Sequence, residues 1–211
     1  MSPRHHPPQA LLLDHATGAL DMGSRLVIRA HLGACPACLA DVALAETIGG
    51  ALLAGADPVA LKADALDHAL ARIERPFAAV PPSPPNPDWI AVPSVVLDAA
   101  RRRRRWAAPG VWVAPVSKDA SGVSTYLLRV GAGMSVPLHT HRGAEMVCVL
   151  EGAYTDGETL HDVGDFAFND ASILHRPRVT RTGACVCLIA AHGALVPRDW
   201  VGHLFQPFVR I

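Results

Sequence analysis

Gly133-Met-Ser-Val-Pro-Leu-His139-Thr-His141-Arg-Gly143-Ala-Glu145-Met-Val-Cys-Val-Leu-Glu-Gly152 is the stretch from which the rest of this chain is read. Side chains two apart on a strand point to one face, so His139 and His141 reach a single ion while Thr140 points away. Glu145 has the same parity and approaches that ion if a short loop around Gly143 intervenes. Imidazoles with one carboxylate make a mixed nitrogen and oxygen donor set, which suits zinc, iron, manganese or nickel. Further on, Gly164-Asp165 marks a turn before a strand carrying Phe166 and Phe168, and His175 follows as the candidate fourth ligand. The competing reading of His175 is a half-buried histidine at a strand end.

The spacing of this stretch resembles the first sequence motif of the cupin superfamily. The resemblance implies an all-β barrel, a double-stranded β-helix or jelly roll. The second motif is less regular here, with Asp170-Ala171 where a proline is usual before the histidine and Val179 where an asparagine is usual after it.

Composition sets the outer limits. The chain has 211 residues, half of them apolar, which suffices for a sizeable core in one or two domains. Formal net charge is zero, so no general attraction to nucleic acid or acidic membranes follows. Five cysteines, unevenly spread, make a poor disulfide framework and suit a reducing cytosol. The amino-terminal segment lacks an apolar signal-type core, and the run Thr47 to Ala56 is about half of the roughly 20 residues a membrane span needs. A cytoplasmic protein is expected. Arg101 to Arg105, followed by Trp106, is read as a solvated approach to the barrel, and direct nucleic-acid binding is not expected.

Residues 81–87, Pro-Pro-Ser-Pro-Pro-Asn-Pro, form neither a helix nor a central strand and divide the chain. The expected organisation is therefore α + β in two domains: residues 1–80 helical, 81–94 a proline-rich linker, and 95–211 all-β. Val-rich runs of alternating character at Tyr126 to Val130, Met146 to Leu150 and Cys185 to Ile189 supply strands. Four helices are expected upstream. The first starts at Pro7-Pro8 and ends at Gly18, and the second covers Met22 to Leu32. The third starts at Pro36, with Leu39, Val42, Ala45 and Ile48 on one side, and loosens near Gly49-Gly50. The fourth opens at an Asp57-Pro58 cap, with Leu66, Leu70 and Ile73 in a stripe.

Where the second and third helices meet, His31-Leu-Gly-Ala-Cys35-Pro-Ala-Cys38 brings an imidazole and two thiols around one tight turn. Structural zinc wants a fourth ligand, for which His5 and His6 are the nearest candidates. A redox dithiol shares the Cys-x-x-Cys spacing but would follow a strand in a βαβ unit, and two plain core cysteines would leave His31 unexplained. Metal binding would staple a helical unit with a modest core.

Together, H-x-x-x-C-x-x-C in a short helical domain and H-x-H-x-x-x-E in a following cupin resemble the ChrR-type zinc-binding anti-sigma factors over nearly the whole chain. The resemblance implies zinc on His6, His31, Cys35 and Cys38. It implies a second metal, zinc or another divalent ion, on His139, His141, Glu145 and His175, and it implies no catalytic residue. It further implies a heterodimer with an extracytoplasmic-function (group IV) sigma factor, which the helices hold from core RNA polymerase. The cupin would then mediate a response to singlet oxygen or organic peroxide. Leu11, Leu12, Leu44, Leu52 and Leu53 are candidates for the partner face or for internal core. Cys185 and Cys187, on a strand near the metal motif, are candidates for redox involvement. The alternative is a metal-dependent cupin dioxygenase or isomerase, in which Glu151, Tyr154, Asp156 and His161 are the available acid–base groups. His15, His68, His161, His192 and His203 show no ligand spacing.

Overall fold

The computed structural model describes residues 2–73, 102–120 and 122–198. The proline stretch 81–87, the expected 81–94 linker, Arg101, His203 and the carboxyl-terminal residues lie outside the described residues.

Four helices come first. Helix α1 (Gln9–Ala16) follows Pro8, whose carbonyl accepts the amides of Leu11 and Leu12. Helix α2 (Met22–Ala34) is capped by Asp21, which accepts the Ser24 amide at 2.9 Å. Helix α3 (Pro36–Ala54) starts at a Cys35 cap with Pro36 in its first turn and runs unbroken through Gly49-Gly50, where loosening was expected. The fourth helix differs more from expectation. Asp57-Pro58 caps nothing, and α4 (Ala65–Ile73) begins after Asp64, whose carbonyl accepts the His68 amide. Val59 and Leu61, between those points, are almost fully exposed.

The β domain is built from antiparallel strands. A six-stranded sheet has the order β1 (Arg105–Ala108), β2 (Val111–Lys118), β3 (Ser124–Val130), β10 (Cys185–Ala191), β5 (Glu145–Glu151), β8 (Phe166–Asn169). A second group pairs β7 (Thr159–His161), β6 (Tyr154–Asp156) and β9 (Arg178–Val179), and a third pairs β11 (Leu195–Pro197) with β4 (His139–His141). The large sheet is covered on both faces, which is why Cys185 to Ala190 is buried at every position and the expected alternation is absent. One face carries Trp112, Ala114, Leu127, Met146, Cys148 and Leu188, packed with Leu12, Val27 and Ile28 of the helices. The opposite face carries Val113, Tyr126, Val147, Val149, Cys187 and Ile189 and lines the barrel interior.

Helix α2 therefore lies directly on the sheet. Gly23 makes this possible, since a Cβ there would strike the Thr125 hydroxyl and crowd Val123. Below it, Ser24 Oγ lies 2.9 Å from His192 Nε2 on the β10–β11 loop. The amino-terminal segment joins the same face, with the Phe166 amide donating to the His5 carbonyl and the Arg4 and His5 amides donating to Asp165.

The rest of the helical unit is left uncovered. Of α3 only Cys38 and Val42 are buried, and α4 buries nothing among the described residues. The two expected apolar stripes, Leu39 and Ile48 on α3 and Leu66, Leu70 and Ile73 on α4, are exposed. Leu12 belongs to the core with Leu11 packed against it, whereas Leu44, Leu52 and Leu53 face outward. By length and composition alone α3 is long and apolar enough to cross a membrane, since its helical span is longer than the uninterrupted run at 47–56 suggests.

Candidate metal centres

The first cluster forms where α2 hands over to α3. His31 in the last turn of α2, Cys35 as cap and Cys38 in the first turn of α3 converge with His6 from the amino-terminal segment. His31 Nε2 lies 3.3 Å from Cys38 Sγ, and His6 Nδ1 lies 3.4 Å from Cys35 Sγ and 3.3 Å from Cys38 Sγ. Around a tetrahedral ion with bonds of about 2.3 Å to sulfur and 2.0–2.1 Å to nitrogen, such atoms stand about 3.6 Å apart, so the four donors fit with little movement. His6, not His5, occupies the fourth position, and His5 turns to the other side of the chain.

Two features of the surroundings favour a cation here. His31 Nδ1 donates to the Gly164 carbonyl at 2.8 Å, which leaves Nε2 with its lone pair toward the thiols. Gly164 has φ +87° and packs so close to Ala34 and Pro3 that a Cβ would not fit, which fixes that carbonyl's position. Burial, helped by Cys35, pushes the Cys38 thiol up to about 12, so its proton leaves only when a positive ion replaces it.

The second cluster sits inside the barrel. His139 and His141 come from β4, Glu145 from the start of β5 after the Arg142–Ala144 loop, and His175 from a bridge opposite His139. His175 is thus a member of the cluster and 7% exposed, where a half-buried strand end was the competing expectation. His175 Nε2 lies 3.0 Å from His139 Nε2 and 3.1 Å from His141 Nε2, with Glu145 Oε2 3.5 Å from His141 Nε2. Nitrogens about 2.1 Å from one ion stand about 3.0 Å apart at right angles and about 3.4 Å apart at tetrahedral angles. The observed spacing fits the right-angled case, in which positions beyond the four protein donors stay open.

Hydrogen bonds orient these ligands. His139 Nδ1 donates to the Pro137 carbonyl at 2.7 Å and His175 Nδ1 donates to Asp156 Oδ2 at 2.6 Å, so both present an unprotonated Nε2 inward. Asn169 Nδ2 donates to Glu145 Oε2 at 3.2 Å, and the Tyr126 hydroxyl also bonds that carboxylate. Burial pushes Glu145 up despite these donors, and it lowers His141 to about 4, assisted by the charges of His139 and His175. A carboxyl held up beside an imidazole held neutral is a donor set of the kind that a cation suits. The cluster opens on an internal cavity of about 510 Å3, lined largely by apolar side chains such as Val113, Leu128, Met134 and Val147 and also by Cys185 and Cys187.

Comparison with known proteins decides what kind of molecule carries these clusters. Along its full length the chain is 33% identical to the anti-sigma-E factor ChrR of Cereibacter sphaeroides, covering all of both proteins. The chain belongs to the ChrR family of anti-sigma factors. Residues 94–195 match the ChrR cupin-like domain model. A crystal structure of Rhodobacter sphaeroides SigE in complex with the anti-sigma ChrR aligns with a TM-score of 0.76 and 30% identity, over 90% of this chain and all of that one. ChrR-type architecture, four helices followed by a cupin, is therefore the fold seen here.

This ChrR-family chain also has features that its motifs did not announce. Tyr154 and His161 are buried, and Asp156 holds a cluster histidine. His161 groups with His5 and Asp165 in a third set of donors, although its position in the sequence shows no ligand spacing. The parity of Tyr154 and Asp156 on one strand was the available signal for Asp156. Nothing comparable in the sequence links His161 to His5.

The histidines give a pH dependence. Burial lowers the pKa of both His31 and His141 below the ordinary value of about 6.5. Burial lowers His15 and His161 as well, so these four histidines bind more protons in the unfolded chain than in the folded one below about pH 6.5. Together they outweigh the opposite effect of the raised Glu145 carboxyl, so stability falls as pH drops. Thermal unfolding of chelator-treated protein is expected to show a midpoint that declines from pH 7 to pH 4.5. A midpoint unchanged over that range contradicts the assignment.

Proposed function

We propose that this chain binds and inhibits an extracytoplasmic-function (group IV) sigma factor in the cytoplasm, and that its cupin responds to oxidative stress. In this reading residues 1–80 are the anti-sigma unit, 81–94 the linker and 95–211 the sensor. His6, His31, Cys35 and Cys38 hold a structural zinc. His139, His141, Glu145 and His175 hold zinc or another divalent ion, and the chain is not an enzyme.

The observation that carries the proposal is the uncovered apolar surface of α3 and α4. Leu44, Ile48, Leu52, Leu53, Leu66 and Ile73 are each more than half exposed. Surface of that kind marks an interaction site. A membrane is the less suitable cover, because the first turn of α3 is held in the His/Cys cluster and the helix packs against α1. The relative in the matched crystal structure is bound to a sigma factor, SigE. In transcription assays with purified polymerase, adding the chain is expected to silence one such sigma factor; silencing none of the cell's sigma factors would remove the basis of the proposal.

The sensing half rests on the second cluster and its cavity. Cys185 and Cys187 stand 3.6 Å apart, sulfur to sulfur, on the same wall. The Cys187 thiol is held far above its ordinary range by its hydrogen bond with Cys185 and by burial, so it is no ready nucleophile. An oxidant small enough for the cavity would meet the metal centre before it met a thiolate. A His139→Ala, His141→Ala variant is expected to lose one metal per chain and to keep sigma-factor affinity within about threefold, a change under 1 kcal/mol. The same variant no longer releases the sigma factor when the complex is treated with organic hydroperoxide. Release at the wild-type rate would separate sensing from this centre.

A further inference from the structure

We infer that His5, His161 and Asp165 form a third divalent-metal site, at the seam between the amino-terminal segment and the barrel. Their donor atoms lie within 4.8 Å of one another. The chain bends at Arg4 and His5, so His6 serves the cysteines while His5 reaches the Leu160 carbonyl on β7 and the turn before β8. The centroids of the His5 and His161 rings are 4.6 Å apart.

Each member keeps a free lone pair. His5 Nε2 donates to the Leu160 carbonyl at 3.0 Å, which leaves Nδ1 as the acceptor. His161 is 9% exposed, and its Nδ1 is buried with no hydrogen-bond partner among the described residues. A buried polar atom left unmatched is unfavourable, and a cation would satisfy it. Asp165, 1% exposed, accepts the Arg4 and His5 amides on Oδ1 but only the Asp162 amide on Oδ2, so one Oδ2 lone pair remains. Burial works to raise this carboxyl, but the three amides and the His5 ring hold it below its ordinary range.

Two imidazoles and one carboxylate suit first-row divalent ions such as zinc or iron(II), and a three-residue set leaves positions for water. The site is distinct from the other two in its ligands, yet it adjoins the first and the barrel cavity. His5 precedes His6, and Tyr154, which lines the barrel cavity, stacks on His161 at 4.8 Å and 15°. An ion here would clamp the segment that delivers His6 onto the sensor domain.

Metal counting tests this. Native mass spectrometry of the full chain, in equilibrium with buffered micromolar free zinc, is compared with His5→Gln and with His161→Phe, which retains the stack on Tyr154. Each variant is expected to carry one zinc fewer than wild type. After cobalt substitution, the thiolate-to-cobalt absorption of the Cys35 and Cys38 centre is expected to persist in both. Because the readout is a difference, it holds whether or not the barrel centre is filled. If His161→Phe does not fold, His5→Gln decides alone. Equal zinc content in wild type and variant overturns the inference, as does loss of the thiolate absorption along with the ion, which would place the lost metal at the His6 centre.

Discussion

Replacing Cys35 and Cys38 together by serine is expected to remove one zinc per chain and to abolish capture of the sigma factor, while the barrel stays folded. Structural zinc contributes on the order of 10 kcal/mol to folding in zinc-finger peptides. Here the loss divides unevenly between helices. Val27 and Ile28 of α2 are fully buried in the core shared with the sheet, so α2 keeps its place without metal. Helix α3, which packs on α1, buries only Cys38 and Val42 among the described residues, and Cys35 caps its first turn. Once the ion is gone, α3 and the segment carrying His6 lose their common anchor. Circular dichroism should show a partial fall in helix signal with the strand signal retained, and sigma-factor affinity should drop by more than about 100-fold, close to 3 kcal/mol. Undiminished affinity in a metal-free variant would contradict the role given to this centre.

A Leu52→Asp, Leu53→Asp variant should have nearly the opposite profile, with stability unchanged and partner affinity lost. Both side chains are about three-quarters exposed, and exposed substitutions usually change stability by no more than about 0.5 kcal/mol. Central apolar anchors in an interface contribute about 2 kcal/mol or more each, so two together predict a loss of roughly a thousandfold in affinity. Ile28→Ala supplies the contrast. It sits wholly inside the core and is expected to cost about 2–5 kcal/mol of stability without touching the partner face. Calorimetric unfolding and binding titrations on the two variants separate the roles. Wild-type affinity in the double Asp variant would move the interface away from α3.

Both metal clusters were legible because each is mostly local. His31, Cys35 and Cys38 span one helix junction, and His139, His141 and Glu145 span one strand and a short loop, so spacing alone brings them together. His175, which arrives through a single bridge, was legible as a candidate beside a competing reading, whereas the choice of His6 over His5, from the start of the chain, needed the family resemblance. What escaped the sequence depends on contacts between distant segments. The Gly164 carbonyl that orients His31 lies 133 residues away and is a backbone atom, invisible to any residue pattern. The docking of α2 on the sheet also hides in the pattern, because a strand covered on both faces loses the alternation that would mark an inner and an outer side. The apolar stripes on α3 and α4 were legible as stripes, but what covers them was not. Periodicity identifies a face that needs cover and does not say whether the same chain or a partner supplies it.

The central claim is that this chain holds a sigma factor through its metal-stapled helices. The most direct measurement is a binding titration of the full, zinc-loaded chain against the purified extracytoplasmic-function sigma factors of its own cell. The account predicts a one-to-one complex with one of them, of nanomolar affinity, that is lost in the Cys35→Ser, Cys38→Ser variant. A fully zinc-loaded chain that binds none of them would contradict it.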